Sequence, residues 1–187
     1  MAIEHTIVGP ANSSTTGAYS NQPDNQNFLS PVGFRFIIRR LPHVNWFLQT
    51  VSIPGITLGE AILPTPFIDT ALPGEKLTYD PLAITFKVDE DLKNWSELQE
   101  WLIGLGSPES FEEYRSHLSQ KGSEAITSDA TLTTLNSNMN ANFEITFQDL
   151  FPTSITELMF DSTQADIDYL TASATFRYVK YQFKKST

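Results

Sequence analysis

The residues able to do chemistry are few and far apart. Three histidines, His5, His43 and His117, fall on segments that read as an arm, a turn and a short helix. None sits near a serine in the strand-turn-helix setting of a nucleophile elbow. The chain has no cysteine, which excludes disulfides, thiolate metal sites and thiol catalysis. Carboxylates do cluster, at Asp89, Glu90 and Asp91, and at Asp166 and Asp168 around Ile167. Neighbouring carboxylates can divide acid and base roles, but such clusters more often cap helices and occupy turns. Asp89, Asp91 and Glu100 also stand at the first, third and twelfth places of a calcium loop. Lys93 at the fifth place and Asn94 at the sixth break that template, because a cation is no ligand and the sharp turn there needs glycine. Gly104-Leu105-Gly106 ends a helix where a phosphate loop must start one. Trp95 and Trp101 would make a platform for a flat ligand, yet their helical spacing reads as core. No catalytic, cofactor-binding or metal-ligating set is expected, and the chain reads as a non-enzyme without a cofactor.

These residues sit in one block, from Leu63 to Leu105, whose elements can be read from turn chemistry and two periodicities. Pro73-Gly74 fits a tight turn, since proline presets φ at its first central position and glycine accepts the positive φ of its second. Its flanks are expected to pair as a hairpin. After Pro81, Leu82, Ile84, Phe86 and Val88 alternate with Ala83, Thr85 and Lys87, the period of a strand with one buried face. From Leu92 the period changes. Leu92, Trp95, Leu98, Trp101, Leu102 and Leu105 form one apolar stripe, with Lys93, Asn94, Glu97 and Glu100 on other faces, so an amphipathic helix is expected to dock through that stripe. Asp89 or Asp91 can cap its start, and Gly104 or Gly106 its end.

The chain has 187 residues, one domain's worth, enough to bury about 70% of the surface an unfolded chain exposes. Residues 1–27 are rich in Asn, Ser, Thr, Gly and Gln, hold no Lys or Arg and show no apolar period, so they read as a flexible amino-terminal arm. Residues 28–187 read as a single β domain. Strands are expected at Phe34 to Ile38, at about Trp46 to Ile53 before the Pro54-Gly55 bend, and at Asn142 to Leu150, closed by Phe151-Pro152. A short strand is expected around Ile155, Leu158 and Phe160, and a long one from Tyr169 to about Phe183 whose apolar phase slips near Tyr178. Residues 107–140 read as an inserted irregular and helical excursion, with a short helix from Ser107 to Leu118. Six or seven strands against one strong helix, without βαβ alternation, predict an antiparallel β-sandwich or barrel with a flanking α-helix. The formal charge is −10, which favours solubility and disfavours a nucleic-acid-binding surface. No apolar run approaches the roughly 20 residues of a membrane span and no signal peptide is apparent, so a soluble chain without a membrane anchor is expected.

Lys76-Leu77-Thr78-Tyr79-Asp80-Pro81-Leu82, then Ile84 to Asp91 and a tryptophan-bearing helix, resembles the tail-tube family of contractile-tailed bacteriophages, including its tube-initiating members. Phe151-Pro152-Thr153-Ser154, an acidic turn and a long final strand are similar to that family's closing half, so the resemblance covers most of residues 34–182. It implies a structural virion protein with the phage tail-tube fold, assembled in the bacterial host cytoplasm. Its homo-hexameric rings would stack into the inner tail tube, a conduit for genomic DNA that is not bound by sequence. Tail sheath and baseplate proteins would be its partners.

The alternation of the strands marks Thr85, Lys87, Glu144, Thr146, Gln148, Ser173, Thr175 and Arg177 as lumen-facing or sheet-exposed. The resemblance leads one to expect an acidic lumen, which Lys87 and Arg177 do not supply. The hairpin, with Phe67, Ile68, Leu72, Pro73 and Gly74, would project and pack on the ring below, and the arm would order against a neighbour. Two alternatives remain, a baseplate tube-initiator or tail-end ring protein of the same fold, and a carbohydrate-binding β-sandwich module. The last would need exposed aromatics in a groove.

Overall fold

A computed structural model describes residues 27–106, 126–163 and 168–185. The arm up to residue 26, the helix expected from Ser107 to Leu118, His5 and Asp166 lie outside the described residues, as does His117. Among the described residues no helix is long and apolar enough to cross a membrane.

The chain opens with β1 (Phe34–Ile38), which turns Phe36 and Ile38 inward and Arg35 and Ile37 outward. Pro42 then starts a six-residue helix, α1 (Pro42–Phe47), because a proline at the first helical position loses no intrahelical bond. The strand expected from Trp46 is therefore shorter: Trp46 and Phe47 are helical and β2 runs over Leu48–Val51. Asn45 on α1 ends β1 as a strand would, its Oδ1 accepting the Ile38 N–H at 2.8 Å and its Nδ2 donating to the Ile38 carbonyl at 2.9 Å.

Next come β3 (Ile56–Leu63) and β4 (Thr70–Tyr79), which form a two-stranded sheet of their own. The hairpin exists, but its turn is not at Pro73-Gly74. Residues 64–69 make it, around Pro64 and Pro66, with the Thr65 hydroxyl bonded to the Ile68 carbonyl. Pro73 lies inside β4 opposite Glu60, while Leu77 lies opposite Leu58, so Gly74, Glu75 and Lys76 together face Gly59. This is a bulge, the place in a ladder that tolerates a proline without an N–H. A Cβ on Gly74 would come 2.5 Å from the Gly59 carbonyl oxygen, so glycine there serves a close backbone approach.

β5 (Leu82–Lys87) buries Leu82, Ile84 and Phe86 as alternation predicts. The helix α2 (Lys93–Gly106) follows. Two features of the expected stripe differ. Leu92 precedes the helix at φ 57° and is exposed, and Asn94, placed by the pattern on an outer face, is fully buried. Its Oδ1 accepts the Asp89 N–H at 3.2 Å and its Nδ2 donates to the Lys87 carbonyl at 2.8 Å, tying the helix start to the end of β5. Asn94→Leu adds apolar surface yet leaves both backbone groups unpartnered. It is expected to lower stability by about 2–4 kcal/mol, read by urea unfolding.

β6 (Ser128–Leu135) runs through the region expected to be irregular. Its Ala130, Leu132 and Thr134 point inward, and it is paired on both sides, by β1 and by β7 (Ala141–Ile155). β7 does not stop at Phe151-Pro152. At Asp149, with φ 54°, its inward phase moves from Ile145 and Phe147 to Leu150 and Pro152, and the register skips between Pro152 and Ser154. No strand follows at Leu158 and Phe160, where residues 156–160 are irregular.

The slip near Tyr178 splits the last strand into β8 (Thr171–Arg177) and β9 (Lys180–Lys185). β8 pairs with β5 and with the end of β7, whereas β9 pairs with the first half of β7. The result is a sandwich whose layers, β1-β6-β7-β9 and β7-β8-β5-β2, share β7. Phe36, Phe147, Ile84, Phe86 and Phe176 from the strands and Leu98 and Trp101 from α2 form one core.

Candidate assembly surface

Among the described residues, those that stand out are apolar side chains left in solvent. Of the β3–β4 hairpin only Tyr79, at the root, packs against the core, and it is half-buried. Phe67 at its turn is 100% exposed and Ile68 72%. Along β3, Ile56, Leu58 and Ile62 share one face by the period of two, with Tyr79 and Leu77 across from the first two. Leu63 and Leu72 are exposed as well. An isolated two-stranded hairpin is marginal in water, and single exposed apolar residues are ordinary whereas a continuous set marks an interaction site.

The root of the hairpin is tied down. Tyr178 Oη donates to the Asp80 carbonyl at 2.9 Å, Tyr181 Oη donates to the Pro54 carbonyl at 3.1 Å, and the Asp80 N–H bonds the Gly55 carbonyl at 3.0 Å. Arg177 Nη1 donates to the Tyr79 carbonyl at 3.4 Å. Tyr79, Tyr178, Tyr181 and Phe147 cluster with centroids 5.2 to 6.0 Å apart, Tyr79 on Tyr181 and Phe147 on Tyr178 edge to face and the other pairs tilted. The corner where β8 passes to β9 thus holds both legs of the hairpin. Burial, with Tyr181 and Asp80 adding to it, pushes the Tyr178 phenol up to about 12. A phenol held above its ordinary value near 10 contributes stability that is complete below pH 10 and lost as pH rises toward 12. Tyr178→Phe is therefore expected to blunt alkaline unfolding in that window while shedding about 1 kcal/mol at neutral pH. An unchanged alkaline transition, followed by circular dichroism, would count against this.

The remaining positions singled out by the sequence fall in three places. Phe67, Ile68, Leu72, Pro73 and Gly74 all lie on the hairpin, though only the first two are in its turn. The eight alternating polar positions do not share one wall. Glu144, Thr146 and Gln148 face outward from the first layer, while Thr85, Lys87, Ser173, Thr175 and Arg177 face outward from the second, where Thr85 Oγ1 and Ser173 Oγ are 3.1 Å apart. In the helix stripe Leu98 and Trp101 are buried and Trp95 and Leu102 partly so. Trp101 Nε1 donates to the Ile126 carbonyl at 3.2 Å and Trp95 Nε1 to the Thr156 carbonyl at 3.4 Å, so neither indole is offered to a ligand.

The carboxylates are spent locally. Asp91 pairs with Lys93 at 2.6 Å, which holds its carboxyl below the usual range, and His43 Nδ1 meets Glu97 Oε1 at 2.5 Å across α1 and α2. Among the described residues no three His, Asp or Glu side chains gather as a metal site. The sequence pattern marks Ile56 and Leu58 after the Pro54-Gly55 bend and an apolar shaft, but not Ile56, Leu58 and Ile62 as contact residues, and Glu60 interrupts their spacing on that face. A strand with no buried face gives the same pattern as one packed on a core.

No protein-family model matches the sequence. The tail tube terminator protein of Enterobacteria phage T4 is 32% identical over 149 residues, covering 73% of this chain and 76% of that protein. Among solved structures, the anti-feeding prophage tube terminating cap shares the fold at a TM-score of 0.61, with 13% identity over 91% of this chain and 99% of that one. A chain of an extracellular contractile injection system sheath-tube complex gives 0.57, with 15% identity over 93% and 99%.

Proposed function

This chain belongs to the phage tail tube terminator family, whose members are structural parts of the virion tail and not enzymes, and we propose that it forms a hexameric ring that seats on the end of the tail tube and stops its growth. The observation that carries this reading is the hairpin. Beyond Tyr79 at its root it stays out of the core, it carries exposed apolar side chains from Ile56 to Leu72, and it is anchored at its root, as a contact made for another subunit should be. Phe67 and Ile68 at the turn would meet the terminal tube ring, and sister copies, the tube and the sheath would be its partners. Genomic DNA would pass through the ring without sequence-specific contact.

The competing reading, a repeating subunit of the tube itself, is favoured by the fold shared with the sheath-tube complex. Mass photometry and electron microscopy of the purified protein, alone and added to growing tubes, separate the two. A terminator stays at one ring when alone and shortens tubes in proportion to its concentration. Long tubes from the pure protein would refute termination.

A further inference from the structure

Among the described residues the sandwich is open on one side. β1 and β2 are the end strands of its two layers, and neither has a described strand on its outer edge. The Arg39 N–H donates to the Asp129 carbonyl and the Leu135 N–H to the Gly33 carbonyl, so the odd-numbered residues of β1 bond to β6. By alternation the N–H and C=O groups of Phe34, Phe36 and Ile38 point to the open edge. Asn45 occupies only those of Ile38. A strand edge left bare is a template for another strand. Between the two edges runs a groove with a volume of about 350 Å³, lined by Leu29, Phe34, Val51, Ile53 and Leu132. It continues past Val32 and Leu48 into a second hollow of about 550 Å³. At its rim the chain arrives from the arm, where Phe28 is 99% exposed and Val32 80%.

We infer that this groove receives the amino-terminal arm of a second copy, which adds a strand to the open edge of β1. The arm holds one β-branched stretch, Ile3-Glu4-His5-Thr6-Ile7-Val8, close in length to the five residues of β1. Alternate side chains of the added strand, Ile3, His5 and Ile7, would face the groove, the two isoleucines over Phe34 and Leu132, while its backbone bonds Phe34 and Phe36. The arm starts at the groove's own rim, and residues 9–26 reach up to about 60 Å when extended. A folded chain of this size has a radius of gyration of about 16 Å, so the next subunit lies within range. Donor and acceptor are different surfaces, so the contact runs head to tail, the kind that builds a ring when its rotation closes. The inference rests on the ring proposed above and supplies its intersubunit bond, leaving the hairpin free for the tube.

The natural chain has no cysteine, which makes disulfide trapping unambiguous. Full-length Ile7→Cys and Gln49→Cys proteins, mixed and oxidised, are expected to give a mixed-chain dimer, and the double variant a ladder of linked subunits. Thr16→Cys paired with Gln49→Cys serves as the control and should link at least tenfold less. Absence of the mixed-chain link, equal linking by the control, or a purely intrachain link in the double variant overturns the inference. Rings that form and shorten tubes without the link would leave the terminator reading intact. The link without any effect on tube length would instead defeat that reading alone.

Discussion

Replacing residues 62–71 with a two-residue Asn-Gly turn is expected to leave a folded protein that no longer docks on tube ends. The deletion removes Ile62, Leu63, Phe67 and Ile68, none of which touches the core, and keeps Ala61 and Leu72, which already pair across the ladder. Asn-Gly is the two-residue connection whose twist suits such a hairpin. The root contacts of Tyr178 and Tyr181 lie at the opposite end and remain. The melting transition should therefore hardly move. Burying a large apolar side chain is worth about 1.5–3 kcal/mol, so losing Phe67 and Ile68 alone removes at least about 3 kcal/mol, more than a hundredfold in affinity. Co-sedimentation with tubes measures this, and Ile68→Asp should reproduce most of the loss by a single change. Undiminished binding of the shortened protein would refute a docking role for the hairpin.

Trp101→Ala is expected to cost about 3–5 kcal/mol, the range of large aromatic truncations in a packed core. That is a large share of the 5–15 kcal/mol a domain ordinarily has. Trp101 is 1% exposed, its ring lies 6.3 Å from that of Phe176 between the layers, and the Arg40 guanidinium sits 4.7 Å above it. Truncation opens a cavity where α2 meets the strands and strands the Ile126 carbonyl, which its indole N–H now satisfies. Trp101→Phe restores most of the apolar volume without that hydrogen bond, so it should recover more than half of the loss in urea unfolding. A mild effect of the alanine variant would show that α2 is peripheral to the core.

Much of the architecture was readable from short-range pattern. The alternations at Phe34 to Ile38, Leu82 to Phe86 and Phe143 to Phe147 marked strands because each turns apolar residues to the core on one face, though Phe143 itself is exposed. The leucine and tryptophan stripe marked α2 because the buried side of a helix recurs at its own period. The break in phase at Tyr178 was visible too, but its meaning was not: the chain leaves one layer and joins the other there. β6 escaped notice because Ser128, Asp129 and its threonines carry a loop's composition, and its stability comes from pairing with β1 and β7 on either side. Pro73-Gly74 suits a tight turn and a bulge equally. Only the register of β4 against β3 selects the bulge.

The candidate surface divides in the same way. Phe67, Ile68 and Leu72 could be named from the sequence as hairpin residues. What left them in solvent is that β3 and β4 pair with each other and with nothing else described, and what aims them is a pair of tyrosine hydroxyls from the far end of the chain. The sequence by itself determined the mainly-β class, the inward face of most strands and the docking stripe of α2. Those depend on residue type and on periods of two or 3.6, which act over a few neighbours. The tertiary structure alone decided the turn at residues 64–69, the extra strand β6, the exchange of layers at Tyr178 and the open edge beside β1. Each of these is a choice of partner between distant segments, settled by which hydrogen-bonding edges and apolar faces fit together when the whole chain folds.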